Sequence, residues 1–271
     1  MIDADRLARE LLQAADAATL LPLPSDTDPA FDLAQACAVA DRVRALRLAR
    51  GEVPVGYKIG FTNRSIWPRY GVFAPMWAPV WQHTTTLLDG PSVRVSPAGL
   101  SQPRLEPEIV FGLKSVPRAG MDNAALVDCI EWVAHGFEIV HTHFADWKFG
   151  LADCFADHGL HGRLCVGPRV PIACFSDAAA ELRALRVELL RDGAVIDRGD
   201  ASVVLGGPVD ALRQWVDAMH AQPQRWPIRA GDVVTTGTIT DAWPLASGMR
   251  FETRLSDPRL QGLALECVPS I

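Results

Sequence analysis

The chain has 271 residues, 49% hydrophobic and 21% charged, ordinary proportions for a folded globular protein and against extensive disorder. Its net charge of -6, with Lys and Arg scattered rather than striped, argues against nucleic-acid binding, and no apolar run approaches the roughly 20 residues that span a bilayer. The acidic start MIDADRLARE lacks the order of a secretory signal, and the six cysteines are dispersed without a C-x-x-C pair, so a cytoplasmic protein with reduced thiols is expected.

In chain order, Leu7, Leu11, Leu12 and Ala15 fall on one stripe and predict a first helix. FDLAQACAVADRVRALRLARG predicts a second helix, ending at Gly51, with PLPSDTDP as the loop between them. This helical pair is expected to lie on the body or on a second subunit. VGYKIGFT reads as a strand. IWPRYGVFAPMWAPVWQ is too irregular for a helix and too apolar for a free loop, which predicts a pocket wall or lid. SVRVS and EPEIVFGL are further strands.

DNAALVDCIEWVAH keeps helical periodicity behind Asp122, a suitable N-cap. GFEIVHTHF is a predicted strand and DWKFGLADCFAD a short helix. ALRVELLRDGAVIDRGDAS is a hairpin pattern turning at Asp192-Gly193, and GPVDALRQWVDAMHA a helix with Pro208 in its first turn. GDVVTTGTIT, MRFETRLSD and GLALECV close the chain as strands. Strands without regular helical crossovers predict an α+β fold with an irregular, mostly antiparallel β body, not a doubly wound sheet.

QPRLEPEIVF carries the first chemical signal. Alternation puts Glu106 and Glu108 on one strand face and Leu105, Ile109 and Phe111 on the other. Two adjacent carboxylates beside core residues suit either a hard cation or, with Pro107, an exposed edge strand. Glu138 in GFEIV is another acid in an apolar strand. Lys58 in GYKIGFT is either an exposed edge lysine or an acid-base group whose pKa burial and a cation would depress. His141 and His143 form H-x-H, with His158 and His161 following, a rival zinc or iron reading. Gly206-Gly207 reads as a turn, and residues 235–238 (TTGT) either bind a carboxylate or turn.

Taken in order, GYKIGFT, QPRLEPEIVF, FEIV, DWKFGLADCFADHG, LGGP and GDVVTTG resemble the 2-keto-4-pentenoate hydratase family, part of the fumarylacetoacetate hydrolase superfamily that includes 4-oxalocrotonate decarboxylases. The resemblance implies a β-roll body (residues 53–271) with an N-terminal helical region (residues 1–52) and a homo-oligomer, with hydratase–decarboxylase partnering known in the superfamily. It implies Mg2+ or Mn2+ held by Glu106, Glu108 and Glu138, with Lys58 as acid-base residue. The implied reaction is hydration of a 2-hydroxy-2,4-dienoate or its 2-keto tautomer. Decarboxylation of a diacid, acylpyruvate C–C hydrolysis and a non-catalytic partner subunit are the alternatives. Asp157 and Lys148 are expected in the same pocket, and Thr236, Trp77 and His158 at the substrate. The chain departs from the family pattern at His141 and His143, at His158 and Leu160, and at Arg69. These changes, with Trp67, Trp77 and Trp81, predict an altered, bulkier substrate pocket.

Overall fold

A computed structural model describes residues 2–222 and 226–269. The side chain of Arg69 lies outside what it describes.

Asp3 starts the helix Ala4–Ala17 by accepting from the N–H groups of Asp5 and Arg6, and Leu7, Leu11 and Leu12 turn inward. Asp32 caps the second helix, Leu33–Ala49, in the same way. The two helices lie against each other, and the second also rests on the short helix Leu151–Ala156. None of the described helices is long and apolar enough to cross a membrane.

Among the described residues fourteen strands follow: β1 (Pro54–Gly60), β2 (Met76–Trp81), β3 (Thr85–Leu87), β4 (Ser92–Val95), β5 (Arg104–Leu113), β6 (Ile130–Val140), β7 (His161–Val166), β8 (Val170–Pro171), β9 (Arg186–Arg191), β10 (Ala194–Asp200), β11 (Val233–Thr238), β12 (Trp243–Pro244), β13 (Arg250–Leu255) and β14 (Ala264–Cys267). A nine-stranded sheet runs β2-β1-β11-β5-β6-β7-β3, with β12 on β5 and β8 on β6. A five-stranded sheet runs β10-β9-β13-β14-β4. Pairing is antiparallel except for β1–β11, β3–β7 and β4–β14. The architecture is thus α+β with mixed, mostly antiparallel sheets and an N-terminal helical region. The hairpin β9–β10 turns at Asp192 and Gly193, both at positive φ, as the sequence pattern predicts.

Leu105, Phe137 and Ile139, from one face of β5 and β6, meet Leu189, Phe251 and Leu265 of the smaller sheet in a shared core. That core fixes the two central strands and leaves their other face to the glutamates.

Two predicted elements differ from the structure. Only Asn123–Val127 is helical, with Asp122 capping it, and residues 130–135 belong to β6. Leu126, Ile130 and Val133 do have helical spacing and are buried, but β6 pairs on both sides with β5 and β7, and sheet context outweighs the local pattern. The stretch expected as a pocket wall or lid does line a cavity, through Ile66, Tyr70 and Met76, and ends in a buried strand, β2, whose Pro79 is tolerated because β2 is an edge of the sheet order. Upstream, only short turns occur, Arg64–Ile66 and Trp67–Tyr70. The strand predicted through residue 144 stops at Val140, so His141 and His143 lie beyond it.

Candidate metal and acid-base centre

The β5–β6 register places Glu106 directly opposite Glu138, and Glu108 opposite Gly136. Two carboxylates facing each other across a ladder destabilise a sheet unless something positive lies between them. One oxygen from each of Glu106, Glu108 and Glu138 lies within 4.8 Å of the other two. Lys58 comes from β1, which is separated from β5 by β11. It is 4% exposed, and its Nζ stands 3.1 Å from Glu138 Oε2.

Glu108 is held on one side only. Its Oε2 accepts from the N–H of Gly237 at 2.8 Å, whereas Oε1 is buried without a hydrogen-bond partner. Gly237 must be glycine: its φ is +98°, and a Cβ there would sit 1.8 Å from Thr62 Oγ1. Glu138 is fully buried and is held by Lys58 on Oε2 and by the His161 ring, whose Nδ1 lies 2.9 Å from Oε1.

Charge crowding perturbs every group. Burial, against the help of Lys58, pushes the Glu106 carboxyl up to about 7. Burial, then Glu138 and Glu106, pushes Glu108 well above the usual carboxylate range. Burial also acts to raise Glu138, but the Lys58 ammonium and the His161 contact outweigh it and hold Glu138 below that range. Burial would lower Lys58, yet Glu138, Glu106 and Glu108 together hold it above its ordinary value. Around Lys58 the three anions thus outweigh desolvation, the first of the two influences expected to depress it.

Three converging carboxylates, with Glu108 Oε1 and Glu138 Oε2 both buried without a hydrogen bond and the second met only by the Lys58 ammonium, form a hard all-oxygen donor set that could hold a divalent cation such as magnesium or manganese. Among the described residues, no second group of three His, Cys, Asp or Glu side chains converges as closely, so the histidines gather no comparable donor set.

Lys58, Glu106 and Glu108 open into a cavity of about 180 Å³. Its walls include Phe61, Tyr70, Trp147 and Phe149; Tyr70 stacks on Phe149 at 5.3 Å between ring centroids. Arg104, two residues before Glu106 on the same strand face, lines it with its guanidinium 4.2 Å over the Trp147 ring. The local sequence could have pointed to Arg104 through alternation, but not to these aromatics, which come from loops.

Five expected pocket residues do not line this cavity. Thr236 is buried with its hydroxyl donated to the Ile109 carbonyl; it is Gly237 and Thr238 that face the cavity. Trp77 sits opposite Ile59 in the β1–β2 register, on the other face from Lys58, edge-on to Phe155; Met76 takes the cavity side. Lys148 is 79% exposed and pairs with Asp146. Asp157 is buried behind the site, bonded to His143 Nδ1 at 2.5 Å and to the His143 N–H. His158 accepts from Arg47 Nε at 3.2 Å and lines a separate cleft with Arg47, His141 and His161. The tryptophan cluster is also dispersed: Trp67 donates to the Phe61 carbonyl and Trp81 lies under Arg47.

Residues 74–262 match the family described as fumarylacetoacetate (FAA) hydrolase C-terminal. The chain is 31% identical over 237 residues, 87% of each sequence, to 2-hydroxyhexa-2,4-dienoate hydratase of Comamonas testosteroni. It is 30% identical over 235 residues, 86% of each, to 2-keto-4-pentenoate hydratase of Burkholderia vietnamiensis. Its fold matches 4-oxalocrotonate decarboxylase of Pseudomonas putida G7, solved with magnesium and adipate, with a TM-score of 0.88 at 23% identity over 98% of this chain and 97% of that one. The family match spans well over half of the sequence, and with these relatives the chain belongs to the fumarylacetoacetate hydrolase C-terminal family.

Proposed function

We propose that this protein is a divalent-metal-dependent hydratase. It adds water to a 2-hydroxy-2,4-dienoate, or its 2-keto tautomer, and yields a 4-hydroxy-2-keto acid. The observation that carries the reading is the junction of the glutamate trio and the buried Lys58 at the wall of one aromatic cavity. The hydratase relatives support it across most of the chain.

Glu106, Glu108 and Glu138 would hold the ion, magnesium or manganese, which supplies charge stabilisation at the substrate 2-oxygen. Lys58 holds a proton beside that oxygen and exchanges it during ketonisation, when the dienol loses its hydroxyl proton and gains one at C5. Water then adds its oxygen at C4, and a proton ends on C3. Phe61, Tyr70, Trp147 and Phe149 offer flat apolar surface to the conjugated tail and limit access of bulk water.

A second reading, decarboxylation of an oxalocrotonate-like diacid, is favoured by Arg104. It is a cation on the cavity wall one step beyond Glu106 and could meet a distal carboxylate. Acylpyruvate hydrolysis finds less support, since the buried His143–Asp157 pair does not line the cavity.

The test is a panel of 2-hydroxy-dienoates, unsaturated keto diacids and acylpyruvates, each with magnesium or manganese. Loss of dienol absorbance without carbon dioxide is expected for the monoacids. Gas from the diacids alone overturns hydration in favour of decarboxylation, and silence across the panel overturns the enzyme reading.

A further inference from the structure

We propose that His161, braced by Thr84, is a positioning residue that fixes the orientation of the Glu138 carboxylate. The inference rests on Glu106, Glu108 and Glu138 being the ligands of a divalent ion.

Glu138 is buried on β6, and its two oxygens have different partners. Oε2 faces Lys58 Nζ at 3.1 Å, and Oε1 faces His161 Nδ1 at 2.9 Å. An ionised carboxylate only accepts, so Nδ1 must carry a proton and donate it. With Oε1 held from behind, the carboxylate loses its freedom to rotate and keeps Oε2 turned toward Lys58. Without that donor, the ammonium alone would set its angle.

The reach of His161 depends on an irregular ladder. Glu138 pairs with Leu164 and Ile139 with Arg163, but Val140 pairs with His161, a register shift at the start of β7. Bulges of this kind redirect side chains at functional sites. Gly162 permits it, since a Cβ there would come 2.7 Å from the Ile139 carbonyl oxygen.

The far nitrogen is held as well. His161 Nε2 lies 2.9 Å from Thr84 Oγ1, whose hydroxyl donates to the Trp81 carbonyl at 3.0 Å and accepts from the Trp81 N–H at 3.3 Å. Thr84 is thus pinned to the Trp81 backbone, and its contact with Nε2 keeps the imidazole plane aimed at Glu138. This is the arrangement by which an outer hydrogen bond orients a ligand, here with the imidazole behind the carboxylate.

The test uses chelator-treated protein titrated calorimetrically with magnesium chloride and manganese chloride. His161→Leu is expected to weaken binding about 10- to 100-fold. His161→Gln, whose amide can donate, recovers most of it. Thr84→Val weakens binding about threefold, on the scale of one neutral hydrogen bond, and Thr84→Ser restores it. Nitrogen-15 spectra of histidine-labelled, chelator-treated protein are expected to show an Nδ1–H signal that is lost in His161→Leu, while those of His135, His143 and His220, whose Nδ1 atoms also face oxygens, remain. Should His161→Leu fail to fold, the Thr84 variants decide. If wild type binds and Glu138→Gln does not, yet His161→Leu and Thr84→Val both bind within twofold of wild type, the positioning role is overturned while the ligand reading stands. Retention of every Nδ1–H signal in His161→Leu overturns it as well. If wild type itself binds neither metal, the ligand reading fails instead.

Discussion

Two cavities lie on either side of Glu138, and they solve opposite electrostatic problems. The front one collects Lys58, Glu106 and Glu108 under aromatic walls, with more negative charge than its own cation offsets. The rear one collects Arg47, His141, His158 and His161, and its groups largely answer one another. Arg47 binds Glu52 and His158, His141 accepts from the Ser101 N–H, and behind it His143 is bound to Asp157. Burial keeps His141 and His158 low, so they hold little charge. Excess like charge is what a ligand must cure, whereas a cluster of little net charge is what a fold tolerates, even with His143 Nε2 and His158 Nε2 buried without hydrogen bonds. The difference assigns chemistry to the front and support to the rear.

The strongest way to break this comparison is to remove one charge at the front. Glu108→Gln keeps the shape and the Gly237 contact but loses a ligand. Turnover is expected to fall about a thousandfold or more, with circular dichroism unchanged. The matched rear variant, His158→Gln, is expected to leave turnover within about threefold, the scale of one neutral hydrogen bond. Equal losses in the two variants would erase the distinction between the cavities.

Next in size is the response to pH. Glu106 in the metal-free protein is pushed up to about 7, first by burial and then by Glu138. A carboxyl raised in this way adds stability that is complete below the ordinary carboxylate range and is lost as pH rises through about 7. Ion binding needs the deprotonated form, so it runs the other way. Magnesium affinity is expected to climb about tenfold per unit for each proton released as pH rises, with the share of Glu106 complete above about 7. In thermal melts, the gap between magnesium-saturated and chelator-treated protein should widen from pH 5 to 8. A constant gap would mean that no buried carboxyl gives up a proton to the ion.

How much of this was readable in the sequence depends on which contacts are local. Alternation alone put Glu106 and Glu108 together, isolated charges in apolar strands marked Glu138 and Lys58, and the resemblance joined the four in one site. Their convergence, however, requires the β5–β6 register and the insertion of β11 between β1 and β5. Register is a long-range property, and an offset of one residue exchanges the faces. That is why Thr236 and Trp77 were expected where Gly237 and Met76 stand. The departures at His141, His143 and His158 were expected to reshape the substrate pocket for a related reason. They lie beyond the end of β6 or after a helix, where no periodicity tells front from rear. Leu160, the remaining described departure, is the one that reaches the front cavity. His161 stood out only as one of the histidines of the zinc or iron reading, because its place behind Glu138 depends on a bulge.

The smallest expected effect is also the finest test of which face is which. Phe149 lines the front cavity against Tyr70, so Phe149→Ala should enlarge the space for the conjugated tail. Preference should move toward longer or branched dienoates by about tenfold in kcat/KM, the scale of one or two methylene contacts. Trp77 is the larger ring, and composition alone would rank it first. It faces Phe155 on the opposite side of the sheet, so Trp77→Phe should lower thermal stability through lost packing and leave relative kcat/KM across the series unchanged. The pair must be read as a ratio, since a general loosening of the fold would depress every substrate alike. A shift in preference from Trp77→Phe, with none from Phe149→Ala, would place the substrate on the helical side of β2 and remove the aromatic cavity from the reaction.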